Sequence, residues 1–312
     1  MYYVLLAVSF LASGLAGAGE STKVPPVYIG GAFNMLELGK KDAAGWKTVR
    51  DHGAKLQVHP VGWRGQWQKV GKAVCPNFKS RSFLYEFDIV DPRGKKHHFL
   101  DEIKMVEGFN MKCEAVFCNF YALEMLTDRK KLTADFKDMV TKPLRKFQDS
   151  RKGKHKDITL YFTFSPVCSG DVVRRAEEFV KDDYWIKIAK ECGADGVGLD
   201  FPPEYWRTKV YRNILLQFLR SAKKNKMPVL YIASTRHAKD VADLKSMYDQ
   251  LKKEDLLPDA WNMGMFHNID GYKPPLTPEA KSDGTPAGTM TGAALLLYKE
   301  FIKPKKPAEK RK

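Results

Sequence analysis

Short apolar runs in this chain repeatedly end in carboxylates, amides, histidines and aromatics, and the densest such group is Gly193–Trp206, read GADGVGLDFPPEYW. Gly193 suits the left-handed cap of a preceding helix. Val197 to Phe201 is an apolar run with one carboxylate, Asp200, at its carboxyl end, and Pro202 and Pro203 stop it. An acid in the middle of a buried strand would lack a partner, whereas the carboxyl ends of parallel barrel strands are where catalytic side chains collect. Asp200 is therefore the first catalytic candidate, with helix capping as its structural alternative. Other runs end near Asn34, His59, Asn119, Tyr121, Glu124, Ser165, Ser234, His237, His267 and Asp270. This mixture suits a sugar: carboxylates transfer protons or attack, amides and histidines bind hydroxyls, and flat aromatic rings stack on the pyranose. The expected catalytic set is Asp200 and Glu204, one of them working with Glu124 or Asp270. Asn34, His59, Asn119, Tyr121, His237 and His267 are expected to bind substrate, with Trp63, Trp67, Tyr205 and Trp206 as aromatic platforms. Arg64 and Arg207 adjoin those aromatics and could grip acidic sugar groups with two-pronged guanidinium contacts.

A metal ion is the competing use of the same histidines and carboxylates. The spacing gives it little support, since there is no His-x-His or His-Glu-x-x-His, and His97-His98 lies in a charged turn. No metal or cofactor is expected. Ser165 and Ser234 occur without the Gly-x-Ser-x-Gly elbow that activates a serine nucleophile.

The elements that must position these residues follow a steady alternation of strand-like runs and amphipathic helical segments, the rhythm of parallel βαβ units. Strands are predicted at Val27–Asn34, Lys55–Val61, Ala115–Leu123, Ile158–Ser165, Val197–Phe201, Val229–Ser234 and Ala260–Phe266. Helices are predicted at Lys40–His52, Phe99–Met111, Thr133–Arg151, Arg174–Cys192, Thr208–Lys226, Lys239–Leu256 and Thr291–Ile302. The pattern predicts an α/β fold, a (β/α)8 barrel of the TIM type, with an irregular eighth strand near Tyr272–Met290. Gly62 to His98 reads as a long insertion after the second strand, carrying an extra strand at Phe83–Val90. An open doubly wound sheet is the rival, but no glycine-rich phosphate loop follows the first strand.

Residues 1–18 hold an apolar stretch from Val4 to Leu15 followed by Ala16-Gly17-Ala18, which reads as a secretory signal although it lacks a basic n-region. A retained anchor is the alternative, but the apolar run is short for a span of about 20 residues. The expectation is a secreted or periplasmic protein without stable membrane insertion after cleavage, with one barrel domain over residues 24–302 and a disordered basic tail over 303–312. Of the 312 residues, 44% are hydrophobic and 29% charged, the balance of a globular enzyme rather than a disordered chain. The net charge is +16, and +11 remains without the tail. Such a surface attracts polyanions, and for an exported protein an acidic polysaccharide or oligosaccharide comes before nucleic acid, for which no binding module is present. The 5 cysteines are too few and too irregularly spaced for a disulfide framework or a zinc cluster.

The run Asp195-Gly196-x-Gly198-x-Asp200-x-Pro202 resembles the Asp-Gly-x-Asp-x-Asp-x-Glu signature of chitinase-type glycoside hydrolases. Gly198 stands where that family has its first inner aspartate and Pro202 where it has its catalytic acid, so only Asp200 carries over. The resemblance implies a secreted (β/α)8-barrel glycoside hydrolase with paired carboxylates. Two other classes stay open: a barrel that binds glycans without cleaving them, and a metal-dependent phosphodiesterase-type barrel.

Overall fold

The computed structural model describes residues 25–30, 36, 46, 47, 50–59, 63, 66–88, 99–119, 147–164, 177, 179–234 and 238–264. Eight strands, each parallel to its neighbours, close into a barrel in chain order: β1 (Val27–Gly30), β2 (Lys55–Val58), β3 (Ser82–Asp88), β4 (Lys112–Asn119), β5 (Thr159–Phe164), β6 (Gly196–Asp200), β7 (Val229–Ser234) and β8 (Ala260–Gly264). β8 pairs with β1 from Val27 opposite Trp261 to Gly30 opposite Gly264, so the sheet has no free edge.

The barrel is therefore closed by Gly264 without any strand from Tyr272–Met290, where an irregular eighth strand is predicted and which lies outside the described residues. The remaining barrel strand is β3, which falls within the stretch that the sequence pattern marks as an insertion. The segment after β2 is an ordinary βα unit: helix α1 (Trp67–Val74), a 3-10 turn at Cys75–Phe78, then β3. The remaining described helices are α2 (Phe99–Glu107), α3 (Tyr184–Glu191), α4 (Lys209–Lys224) and α5 (Ala238–Lys253). The predicted signal, the basic tail and the final helix at 291–302 lie outside the described residues. Among the described residues no helix is long and apolar enough to cross a membrane.

Alternation along each strand sorts side chains into two compartments. Ile29, Leu56, Val58, Tyr85, Val116, Phe162, Leu199 and Trp261 point outward into a core shared with the helices. There Ile214, Leu215, Phe218, Leu219 and Ala222 form the buried stripe of α4 at helical spacing. Tyr28, Leu84, Ala115, Phe117, Tyr161, Leu230, Ile232 and Ala260 form a separate cluster inside the barrel. Cys75, Cys113, Cys118 and Cys192 are all buried and none forms a disulfide.

Strands in a closed eight-stranded barrel are tilted, so residues from alternate strands share a level. The registers bring Gln57, Phe117, Gly198 and Asn262 to one level, Gly30, Glu86, Thr163 and Ile232 to the next, and His59 and Asp200 to the rim at the carboxyl ends. The opposite mouth holds Tyr28, Lys55 and Glu114. Glu114 is the extra residue of a bulge, since Phe83 pairs with Cys113 and Leu84 with Ala115.

Candidate active site

Two buried polar side chains on β2 and its end, Gln57 and His59, meet Glu86 of β3 inside the barrel. Glu86 has no exposed surface. The Gln57 amide donates through Nε2 to Glu86 Oε2 at 2.7 Å, and His59 Nε2 lies 3.4 Å from Glu86 Oε1. Burial pushes the Glu86 carboxyl above the ordinary glutamate range, and the charge of Asp200 pushes the same way. His59 and the Gln57 hydrogen bond oppose them without winning. A carboxyl so placed holds its proton at higher pH than a free glutamate and can serve as an acid.

Asp200 ends β6 with inward parity, on the rim across from β3, and is partly exposed. Its strand is held at this point by Phe201 N donating to Ile232 O at 3.1 Å and by the Tyr231 hydroxyl donating to Phe201 O. Burial, followed by the charge of Asp200, raises the Tyr231 phenol well above its ordinary value, so that hydroxyl stays a donor. β6 itself contributes little side-chain bulk to the interior, because its other inward positions are Gly196 and Gly198. A Cβ on Gly198 would lie 2.7 Å from Thr163 Oγ1 and 3.2 Å from Thr163 Cα. The first inner aspartate of the chitinase-type motif therefore has no room here, since Thr163 on β5 fills that space.

The other expected site residues divide into three groups. Glu204, Tyr205, Trp206 and Arg207 lie in the 3-10 turn Pro203–Arg207 beyond the rim. Tyr205 packs edge-on against Phe201 and Tyr211, and Trp206 is buried beneath the guanidinium of Arg212. Arg207 donates through Nε to Asp243 at 2.8 Å, with a second contact from its terminal nitrogen, so its planar fork already holds a carboxylate of this chain. Trp63 is wholly buried against Trp67, in the core outside the barrel. The expected platforms Trp63 and Trp206 are thus core residues, because an indole gains more from complete burial than from half-exposure beside a cleft. Asn34, Arg64, Tyr121, Glu124, His237, His267 and Asp270, with the side chain of Asn119, lie outside the described residues. The described second carboxylate is Glu86. Its sequence signal is an acid between Tyr85 and Phe87 inside an alternating apolar run, whereas Asp200 stands out by ending its strand.

Polar side chains also stand among the apolar ones of the barrel interior. Asn262 on β8 and Thr163 on β5 are buried, and neither atom of the Asn262 amide has a hydrogen-bond partner, nor do Thr163 Oγ1 and Gln57 Oε1. Among the described residues no group of three or more His, Cys, Asp or Glu side chains could hold a metal ion.

Fold and site together define a (β/α)8 barrel with two inward carboxylates at its carboxyl-terminal mouth. No protein-family model matches the chain, and no curated protein matches it. Among solved structures the chain is similar to QR15, an aldolase, with 11% identity over 78% of this chain and 89% of that chain and a TM-score of 0.42. It is also similar to an HpcH/Hpal aldolase/citrate lyase family protein from Burkholderia cenocepacia J2315, with 10% identity over 77% of this chain and 88% of that one and a TM-score of 0.42. The first is named an aldolase and the second a member of an aldolase/citrate lyase family, and likenesses this distant carry nothing over to the chemistry of this chain.

Proposed function

We propose that the chain is an acid–base hydrolase of glycosidic bonds, with Glu86 as proton donor and Asp200 as the carboxylate that attacks the sugar or activates water. The observation that carries this reading is Glu86 itself: a fully buried carboxyl with a raised pKa, facing a second carboxylate across the barrel mouth. Glycosidases need one carboxyl that keeps its proton and another that supports the developing oxocarbenium ion. Gln57 and His59 both bear on the Glu86 carboxyl and hold it in place. A polysaccharide substrate, and export directed by residues 1–18, belong to the same proposal. Arg207 is already paired with Asp243, which weighs against its selecting acidic sugars.

The reading is tested with aryl glycosides of graded leaving-group ability. Glu86→Gln is expected to lower kcat by about 10²–10⁴-fold on poor leaving groups and far less on dinitrophenyl glycosides, which need no proton. Asp200→Asn is expected to lose turnover on all of them. A wild-type protein inert across the panel, or a Glu86→Gln loss independent of the leaving group, would remove the glycosidase assignment.

A further inference from the structure

We infer that Asn262, assisted by Thr163, reads a pair of hydroxyl groups on the substrate. The inference rests on the glycosidase reading and names the part of the substrate that the barrel interior recognises. Asn262 is entirely buried at the level below Glu86 and Thr163, and its Oδ1 and Nδ2 both lack a hydrogen-bond partner. A buried amide in that state lowers stability, because its desolvation is not repaid by any bond. A leucine would fit an eight-stranded barrel interior better on packing grounds alone.

The surroundings suit a ligand. Above Asn262, the next inward position on β8 is Gly264 and the neighbouring position on β1 is Gly30, so neither strand places a side chain between the amide and the rim. Thr163 Oγ1, also buried and unpartnered, faces the same interior from β5. An amide offers one donor face and one acceptor face in a fixed plane. Two adjacent hydroxyls complement it, one accepting from Nδ2 and the other donating to Oδ1, while Thr163 can give or take a third bond. The substrate class is therefore a vicinal diol, carried on the ring that sits between Glu86 and Asp200.

The test compares wild type with Asn262→Leu and Thr163→Val, measuring melting temperature, calorimetric binding of a panel of monosaccharides, and kcat/KM on parent and monodeoxy glycosides. Asn262→Leu should raise Tm by about 2–4 °C as the orphaned amide is removed. It should also abolish binding and lower kcat/KM by about 100-fold or more on the parent glycoside, with little further loss on the deoxy analogue lacking the contacted hydroxyl. Thr163→Val preserves shape and should show a smaller loss of the same kind. If Asn262→Leu raises Tm while binding and kcat/KM stay unchanged, the amide is a tolerated core residue and the inference fails. It fails equally if the wild type binds no polyol. If the wild type hydrolyses no glycoside but binds a monosaccharide through Asn262, the glycosidase reading falls while the diol site stands. Should Asn262→Leu not fold, the Thr163→Val and deoxy-analogue measurements decide the matter.

Discussion

The two mouths of the barrel interior treat buried polar groups in opposite ways. At the amino-terminal mouth, Lys55 Nζ reaches both oxygens of Glu114 at 2.6 Å, and the Tyr28 hydroxyl donates to the same carboxylate at 2.5 Å. Burial and the charge of Glu114 hold the Tyr28 phenol well above its ordinary range, so it remains a donor. Nearer the carboxyl-terminal mouth, Asn262, Thr163 and one atom of Gln57 are left without partners, and Glu86 is fully buried beneath Asp200, its pKa raised by that burial. The same sheet supplies both sets of residues, so the fold does not prevent pairing. The difference marks the lower mouth as a structural closure and, on the proposed function, the upper mouth as a place where stability is given up for chemistry.

Three measurements sharpen or break that contrast. The largest effect is expected from Glu114→Leu, which strands Lys55, only 27% exposed at its side chain, beside an apolar group. Unfolding free energy should fall by about 3 kcal/mol, and Glu114→Leu with Lys55→Met should recover most of it. Full stability in the single variant would mean that the lower cluster closes nothing. Next comes Gly198→Ala, whose new methyl would meet Thr163 Oγ1 and should cost about 2 kcal/mol. Adding Thr163→Ala removes that oxygen and should restore most of the loss. If it does not, the hydroxyl is not what occupies the space over Gly198.

The smallest effect is a slope with pH. Glu86 has a raised pKa in the folded state, so between the ordinary glutamate range and that raised value the native state binds more protons than the unfolded one. Its contribution to stability is therefore largest in acid and is lost as pH rises through the folded value, by at most about 1.4 kcal/mol per pH unit. Denaturant unfolding followed upward from the ordinary glutamate range should show this decline in wild type and not in Glu86→Gln. Identical slopes in the two proteins would place Glu86 in an environment no different from water.

Much of the barrel was legible because hydrophobic alternation is dictated by the pleat, and seven of the eight strands appear as such runs. β3 escaped for reasons visible in α1 and the turn after it. That helix is only 8 residues long, with Gly71 inside it and Pro76 following closely. Both read as breakers, yet a Cβ at position 71 would lie 2.2 Å from the Phe109 ring, so the glycine is there to let a helix pack closely. With α1 masked by these breakers, the pattern makes β3 an insertion and gives Glu86 no place in the barrel. Asp200 was found because it ends its strand. Asn262 was not, because it lies in the middle of β8, where a polar residue stands out only after the inward face is known. The aromatics Trp63 and Trp206 illustrate the converse, since adjacency to a strand end in sequence does not decide whether a ring faces the mouth or the core.

The buried cysteines give the molecule an internal clock. Burial pushes the Cys75 thiol up to about 12 and the Cys113 thiol well above its usual value, so at neutral pH almost none of either exists as the reactive thiolate. Cys75 lies where α1 passes into its 3-10 turn, Cys113 on β4 near the lower mouth, Cys118 at the upper end of the same strand, and Cys192 at the end of α3. A thiol reagent should therefore stay idle against these four positions until the surrounding structure opens, and each then records a different opening. With Cys168 replaced by serine, the order in which Cys113 and Cys118 are modified would time the release of the two ends of one strand, without any probe having been added to the protein.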